Sequence, residues 1–206
     1  PFALKDTPGL IEFLGYTFCF SDILCGPAKE YATYQRAVDG SVFKTKDGKI
    51  KIPNNILKTI IPLVTSFICL GVHLTLIAQF PLLDPTDPQK NTPYILSDEF
   101  MQNPFYFRLW HVMVGLFAVR NKYYFGWKNA EGAQNAWYSG FDGYDEEGNE
   151  KGWETSNNMD VIEFETAPDI SILSKAWNKK TSLWLSKYIY MRTGGNLIAV
   201  YSTSAF

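Results

Sequence analysis

Residues 59 to 83 read TIIPLVTSFICLGVHLTLIAQFPLL, 25 residues without a formal charge between Lys58 and Asp84. A helix of that length reaches ~37 Å, enough to cross a ~30 Å hydrocarbon core with some tilt. Pro62 and Pro81 fall near its ends, where a helix tolerates proline. Lys51 and Lys58 precede the stretch, and Asp84, Asp87 and Asp98 follow it. The positive-inside rule therefore puts the lysine side in the cytoplasm.

Outward from this span the chain alternates between apolar and polar. On the C-terminal side a Pro- and Asp-rich loop leads to residues 105–127, FYFRLWHVMVGLFAVRNKYYFGW. This stretch predicts a second span, with Arg108, Arg120 and Lys122 snorkelling and rings at the headgroup level. Residues 129–174 are acidic and rich in turn residues, and predict a polar loop. Residues 174–191 predict one helix, and a further apolar stretch occupies 196–206. On the N-terminal side, residues 10–26 predict a short span or a re-entrant helix that ends at Gly26-Pro27. The segment up to Asn55 is polar, with a turn at Asp47-Gly48. The expected class is all-α, a polytopic integral membrane protein, with residues 1–206 forming one partial domain. The start at Pro1 and the apolar ending at Phe206 predict a piece of a longer protein.

Composition narrows the function. Of 206 residues, 46% are hydrophobic, 16% aromatic and only 19% charged, against roughly 25% charged in soluble domains. The 15 Phe, 12 Tyr and 6 Trp exclude intrinsic disorder. A net charge of −2 without a basic patch excludes a general nucleic-acid binder. Cys19, Cys25 and Cys69 give neither a disulfide framework nor a CxxC pair, and no metal site is expected. There is no phosphate loop, GxSxG elbow or HExxH motif. The acidic run from Asp142 misses the calcium-loop pattern, because Tyr144 and Gly148 fall in the wrong places.

His73 and His111 lie inside apolar stretches, where an ionisable group is either functional or a hydrogen-bonded packing residue. In AWNKKTSLWLSKY (176–188), helical spacing would put Trp177, Thr181, Trp184 and Tyr188 on one face, and Asn178, Ser182 and Leu185 on the next. From spacing alone Asn178 reads first as a helix cap or a structural hydrogen bond, and second as a catalytic amide. Arg120, Lys122, Lys179 and Lys180 are either anion-binding groups or markers of topology.

Five strings, in order, resemble one family. They are LIEFLGYTFCFSDILCGPAKEY (10–31), RNKYYFGWKNAEG (120–132), SGFDGYDEEGNEKGW (139–153), FETA (164–167) and AWNKKTSLWLSKYIYMR (176–192). They are similar to the membrane-bound O-acyltransferases, in particular the lysophospholipid acyltransferase branch in its fungal-type, broad-specificity layout. The resemblance implies transfer of an acyl group from acyl-CoA to the free hydroxyl of a lysophospholipid, in a multi-pass protein of the endoplasmic reticulum membrane. It implies acyl-CoA as co-substrate, with no cofactor and no metal. The family's W-N-x-x-T motif falls on Trp177-Asn178-Lys179-Lys180-Thr181, which makes Asn178 the expected catalytic asparagine. The strings mark Lys122, Tyr123, Tyr124, Trp127, Trp177, Thr181 and Trp184 as candidate substrate-binding residues. The family's catalytic histidine belongs to a Ser-Ala-x-Trp-His-Gly motif expected to begin at Ser204-Ala205-Phe206, so it would lie beyond Phe206. Neither His73 nor His111 matches it. One departure is Trp153-Glu154, where the family often has Trp-Asp. Two readings compete: a non-enzymatic polytopic transporter or scaffold, and an enzyme of the same fold that acylates a protein or a sterol.

Overall fold

A computed structural model describes residues 7–27, 29–83 and 93–194. All regular structure among them is helical apart from three isolated antiparallel bridges. Contacts divide the chain into two units, Pro1–Leu63 with Trp127–Phe206, and Val64–Gly126. The long helices contribute residues to both.

The first unit begins with α1 (Leu10–Thr17), whose first turn is closed by Glu12 Oε2 accepting from the Gly9 N–H at 2.9 Å. The helix expected over 10–26 stops at Thr17. At eight residues it is about 12 Å long, well short of a bilayer core. The following residues turn instead, because Ser21 and Asp22 are drawn into a polar cluster with Lys29. Lys29 Nζ lies 2.9 Å from Asp22 and donates to Ser139 Oγ at 2.6 Å. A Cβ on Gly26 would meet Asp22 Cα at 2.3 Å, so only glycine closes this turn. Helix α2 (Tyr31–Val38) sets Tyr31 and Tyr34 edge-on against Tyr16, and Tyr34 edge-on against Trp137.

Two short turns, TKDGK (45–49) and DEEGN (145–149), pack on each other. Gly48 and Gly148 both hold positive φ, +76° and +83°, which a residue with a Cβ rarely adopts. Lys51 links them, its carbonyl accepting from Tyr144 Oη at 2.9 Å and its ammonium lying over the Tyr144 ring. Beneath them Val42, Phe141, Tyr144 and Trp153 form the hydrophobic core.

Helix α3 (Ile56–Gln79) is the one helix among the described residues that is long and apolar enough to cross a membrane. Pro62 lies within it. Proline has no N–H, so the Lys58 carbonyl loses its partner four residues on. Asn135 replaces it, donating from Nδ2 to the Lys58 carbonyl at 2.8 Å. Asn55 answers by donating from Nδ2 to the carbonyls of Asn135 and Ala136 at 3.1 and 3.0 Å.

The second unit contains the rest of α3, the short α4 (Asp98–Met101) capped by Ser97, and most of α5 (Phe105–Ala136). His73 Nδ1 lies 2.8 Å from the Ala118 carbonyl, an acceptor, so the ring carries its proton there and ties α3 to α5. Gly115 seats Leu82, whose Cδ2 would lie 2.5 Å from a Cβ. His111 is buried, bonds the Pro81 carbonyl at 2.9 Å, and is surrounded by Phe80, Tyr94, Phe100 and Phe107. Both histidines therefore serve packing.

Helix α5 runs nine residues past the expected end at Trp127, so the first part of the predicted polar loop is helical. Three short helices follow. Asp160 caps α6 (Val161–Glu165), Asp169 caps α7 (Ile170–Ala176), and α8 (Lys179–Leu185) continues into a single wide turn, Ser186–Tyr190. The single helix expected over 174–191 is broken at Trp177-Asn178. Residues 196–206 lie outside the described residues.

Candidate functional site

The break before α8 is built from backbone. Trp177 is extended, with φ −94° and ψ 129°, and Asn178 is left-handed, with φ 48° and ψ 45°. Asparagine tolerates that region better than most residues carrying a Cβ. An extended segment around Asn158 pairs with the break. The Asp160 N–H donates to the Ala176 carbonyl at 3.3 Å, and the Lys179 N–H donates to the Asn158 carbonyl at 2.9 Å. Asn158 is buried. Its Oδ1 accepts from the Lys180 N–H at 2.9 Å, and its Nδ2 donates to Asn178 Oδ1 at 3.0 Å.

Because Trp177 is not helical, it does not share a face with Thr181, Trp184 and Tyr188. It packs edge-on against Trp127, with ring centres 4.9 Å apart, and meets Phe164 at 5.1 Å with the ring planes tilted by 40°. These rings make an aromatic shelf next to Asn178. Trp184 is half-exposed and stacks on Tyr188 at 5.5 Å. Thr181 is partly buried in the first turns of α8. Lys122, Tyr123 and Tyr124 fall in the second unit. Lys122 is exposed with its ammonium over Tyr123, and Tyr124 is fully buried.

Beside α8 lies a pocket lined by Lys29, Glu30, Thr155, Lys180, Trp184 and Lys187. Two of its cations are committed. Lys29 is held by Asp22, and Lys187 lies 3.9 Å from Glu30, which also accepts from Tyr188 Oη. Lys180 has no ion pair among the described residues. Burial pulls its ammonium below the usual lysine range, opposed by the more distant carboxylates of Asp142 and Glu154.

The acidic loop turns its carboxylates onto itself. Asp142 accepts from the Glu154 and Thr155 N–H groups at 2.7 and 3.2 Å, and Asp145 accepts from Glu147 and Asn149 at 3.0 and 2.7 Å. Those backbone bonds hold the Asp145 carboxyl below the usual range. Glu154 is exposed and accepts from Asn157 Nδ2 at 3.2 Å. Asn135, Ser156, Asn158, Lys29 and Lys187 escaped the sequence reading. Each is a common polar residue whose role exists only through a partner far away in sequence. The nearest signal was the adjacent pair Asn157-Asn158 ahead of an apolar Met159.

The described residues thus combine a helix of membrane-crossing length with an asparagine amide pinned at a helix start beside an aromatic shelf. The chain belongs to the membrane-bound O-acyltransferase family, whose profile matches residues 1–206. It is 29% identical over 193 residues to a lysophospholipid acyltransferase of Schizosaccharomyces pombe, covering 92% of this chain and 36% of that protein. It is 29% identical over 201 residues to mouse membrane-bound glycerophospholipid O-acyltransferase 1, covering 92% and 39%. It is 29% identical over 191 residues to human lysophospholipid acyltransferase 5, covering 93% and 36%. The chain thus spans little more than a third of the length of these relatives.

Proposed function

We propose that the protein carrying this chain is a multi-pass lysophospholipid acyltransferase of the endoplasmic reticulum membrane. It transfers the acyl group of acyl-CoA to the free hydroxyl of a lysophospholipid. The observation that carries this reading is the W-N-x-x-T break, where Asn178 is held at a helix start with its amide oriented. The names of the relatives support the substrate class.

In this mechanism the lysolipid oxygen attacks the thioester carbonyl. The C–O bond forms, the C–S bond breaks, and the hydroxyl proton passes through a general base to the departing CoA sulfur. The base is a histidine that the family resemblance puts after Phe206. Negative charge gathers on the carbonyl oxygen in the transition state, and the Asn178 Nδ2–H donates to it. The rings of Trp127 and Trp177 supply an apolar flank. The Asn178 amide is held by the Asn158 side chain, so the donor needs no reorganisation during reaction.

The test is acylation by the full-length protein in membranes from cells lacking endogenous activity, using labelled acyl-CoA and a panel of lysophospholipids. The expected result is a labelled diacyl phospholipid from at least one lysolipid. Background labelling across the whole panel refutes the assignment.

Lys180 then serves as the cation for a CoA phosphate. Replacing it with alanine is expected to raise the KM for acyl-CoA about tenfold with little change in kcat, the ~1.5 kcal/mol of a hydrogen bond to a charged group. The pH dependence has a definite sign. A lowered lysine pKa means that the charge is lost at a lower pH than for an ordinary lysine, so KM rises earlier as pH rises. Lys180→Arg keeps its charge and flattens that rise. A KM unaffected by Lys180→Ala removes the phosphate role.

A further inference from the structure

We infer that Asn158 is a positioning residue that sets the direction of the Asn178 amide, an inference that rests on the catalytic reading of Asn178 above. Donors and acceptors decide it. The Lys180 backbone N–H can only donate, and it points at the Asn158 side chain at 2.9 Å. The end of Asn158 facing it must be Oδ1. The other end is therefore Nδ2, which can only donate, and it lies 3.0 Å from Asn178. The end of Asn178 facing Asn158 must then be its oxygen, and the Asn178 NH2 points the opposite way. A single peptide N–H, whose polarity is fixed, thus determines the polarity of two side-chain amides in series.

Without Asn158 the Asn178 side chain would have two orientations of similar shape and opposite sign. One offers a donor to the developing oxyanion, and the other offers a carbonyl oxygen that repels it. Asn158 is suited to choose between them because it cannot itself flip. It is only 1% exposed, and its own carbonyl accepts from the Lys179 N–H at 2.9 Å, so its backbone is tied to the same turn. Met159 beside it is fully buried. Both arms of its side chain are engaged, and both contacts fall within the three residues that open α8.

The test uses Asn158→Asp in the full-length protein. Aspartate has the same shape and still accepts from the Lys180 N–H, but its carboxylate cannot donate to Asn178 Oδ1. The Asn178 amide then turns its NH2 toward the new carboxylate and its oxygen toward the substrate. The expected result is a fall in kcat of about a hundredfold, the scale of one lost oxyanion donor, with the acyl-CoA KM within about twofold of wild type. Protonating that carboxylate restores an O–H donor, so the ratio of variant to wild-type kcat should climb as pH falls from 8 to 6. Glu154 and Asp160 on the same segment, and Lys179 and Lys180 across the pairing, are common to both proteins and cancel in that ratio. Asn158→Ser, which has no titrating group, should give a low ratio that does not vary with pH.

A further arm separates this inference from the reading beneath it. The double variant Asn158→Asp/Asn178→Gly should be no slower than Asn178→Gly alone. If Asn178→Gly keeps full activity, the catalytic reading of Asn178 fails. If Asn178→Gly is inactive while Asn158→Asp keeps kcat within twofold, only the positioning role is overturned. A loss in Asn158→Asp that does not recover on acidification also overturns it, since a folding defect has no reason to improve there. Should Asn158→Asp not accumulate, Asn158→Ser decides: a loss confined to kcat supports the inference, and an unchanged kcat overturns it.

Discussion

Replacing Asn178 with glycine is expected to lower kcat for lysolipid acylation by about 10²- to 10³-fold, the ~2.7–4 kcal/mol that one oxyanion donor supplies in other acyl-transfer sites. Glycine is the informative choice because position 178 joins the proposed amide donor to a left-handed backbone. Its backbone sits at φ 48° and ψ 45°, where alanine would add roughly 1–2 kcal/mol of strain. Alanine would confound loss of the amide with distortion of the turn. Glycine adopts the left-handed region freely, so the Ser182 N–H still reaches the residue 178 carbonyl, at 3.1 Å in the native chain. The Asn158 contacts to Lys179 and Lys180 also remain. A protein with native thermal stability and little turnover is the expected outcome. Assay of purified full-length protein in detergent, with its melting curve, checks both halves. Turnover within threefold of wild type would make Asn178 a structural cap.

The second large effect falls on stability. Gly140→Ala should lower the melting temperature of the full-length protein by several degrees or prevent its accumulation. A Cβ at residue 140 would lie 2.0 Å from Asn135 Oδ1 and 2.5 Å from Ser156 Oγ, and neither is the loose end of a long side chain. Asn135 is 2% exposed and Ser156 fully buried. Ser156 donates to Asn135 Oδ1 at 2.8 Å, while Asn135 Nδ2 serves the Lys58 carbonyl that Pro62 leaves without a partner. Moving Asn135 therefore orphans a helix carbonyl and leaves the buried Ser156 hydroxyl only its longer bond to the Trp153 carbonyl, at 3.2 Å. Overpacking costs about 1–3 kcal/mol, and each unsatisfied buried group a similar amount. Gly71→Ala is the matched control. Nothing lies within 4 Å of its added Cβ inside α3, and alanine favours a helix over glycine by up to ~1 kcal/mol. Equal melting temperatures for Gly140→Ala and Gly71→Ala would show that the Asn135 network does not hold the unit together.

Much of the architecture could be read from patterns that are local in sequence. The uncharged run from Thr59 predicted α3, because charge is excluded over a length that matches a bilayer and needs no partner to be recognised. The rings and peripheral basic residues of 105–127 predicted a second span. A helix, α5, is found there, but α3 is the one helix among the described residues long and apolar enough to cross, and the polar extension of α5 to Ala136 was not legible. That end has no apolar face to signal it, and it is held by Asn55 and Asn135 instead. Helix α1 was overestimated for the opposite reason. An apolar stretch looks continuous until Ser21 and Asp22 are seen to be claimed by Lys29 and Trp137.

For the site, the residue types and spacing of Trp177-Asn178-Lys179-Lys180-Thr181 carried the family resemblance, and with it the identity of the candidate asparagine. Its conformation was not legible. Helical periodicity grouped Trp177 with Trp184, but the chain breaks between them, and Trp177 joins Trp127 and Phe164 instead. The sequence by itself determined where apolar length and charge place helices, and which side chain has the chemistry of an amide donor. Only the tertiary structure decided which way that amide faces. An asparagine carries a donor and an acceptor of nearly equal shape, so its direction is set by the fixed polarity of a backbone N–H two residues on, relayed through Asn158 from twenty positions away.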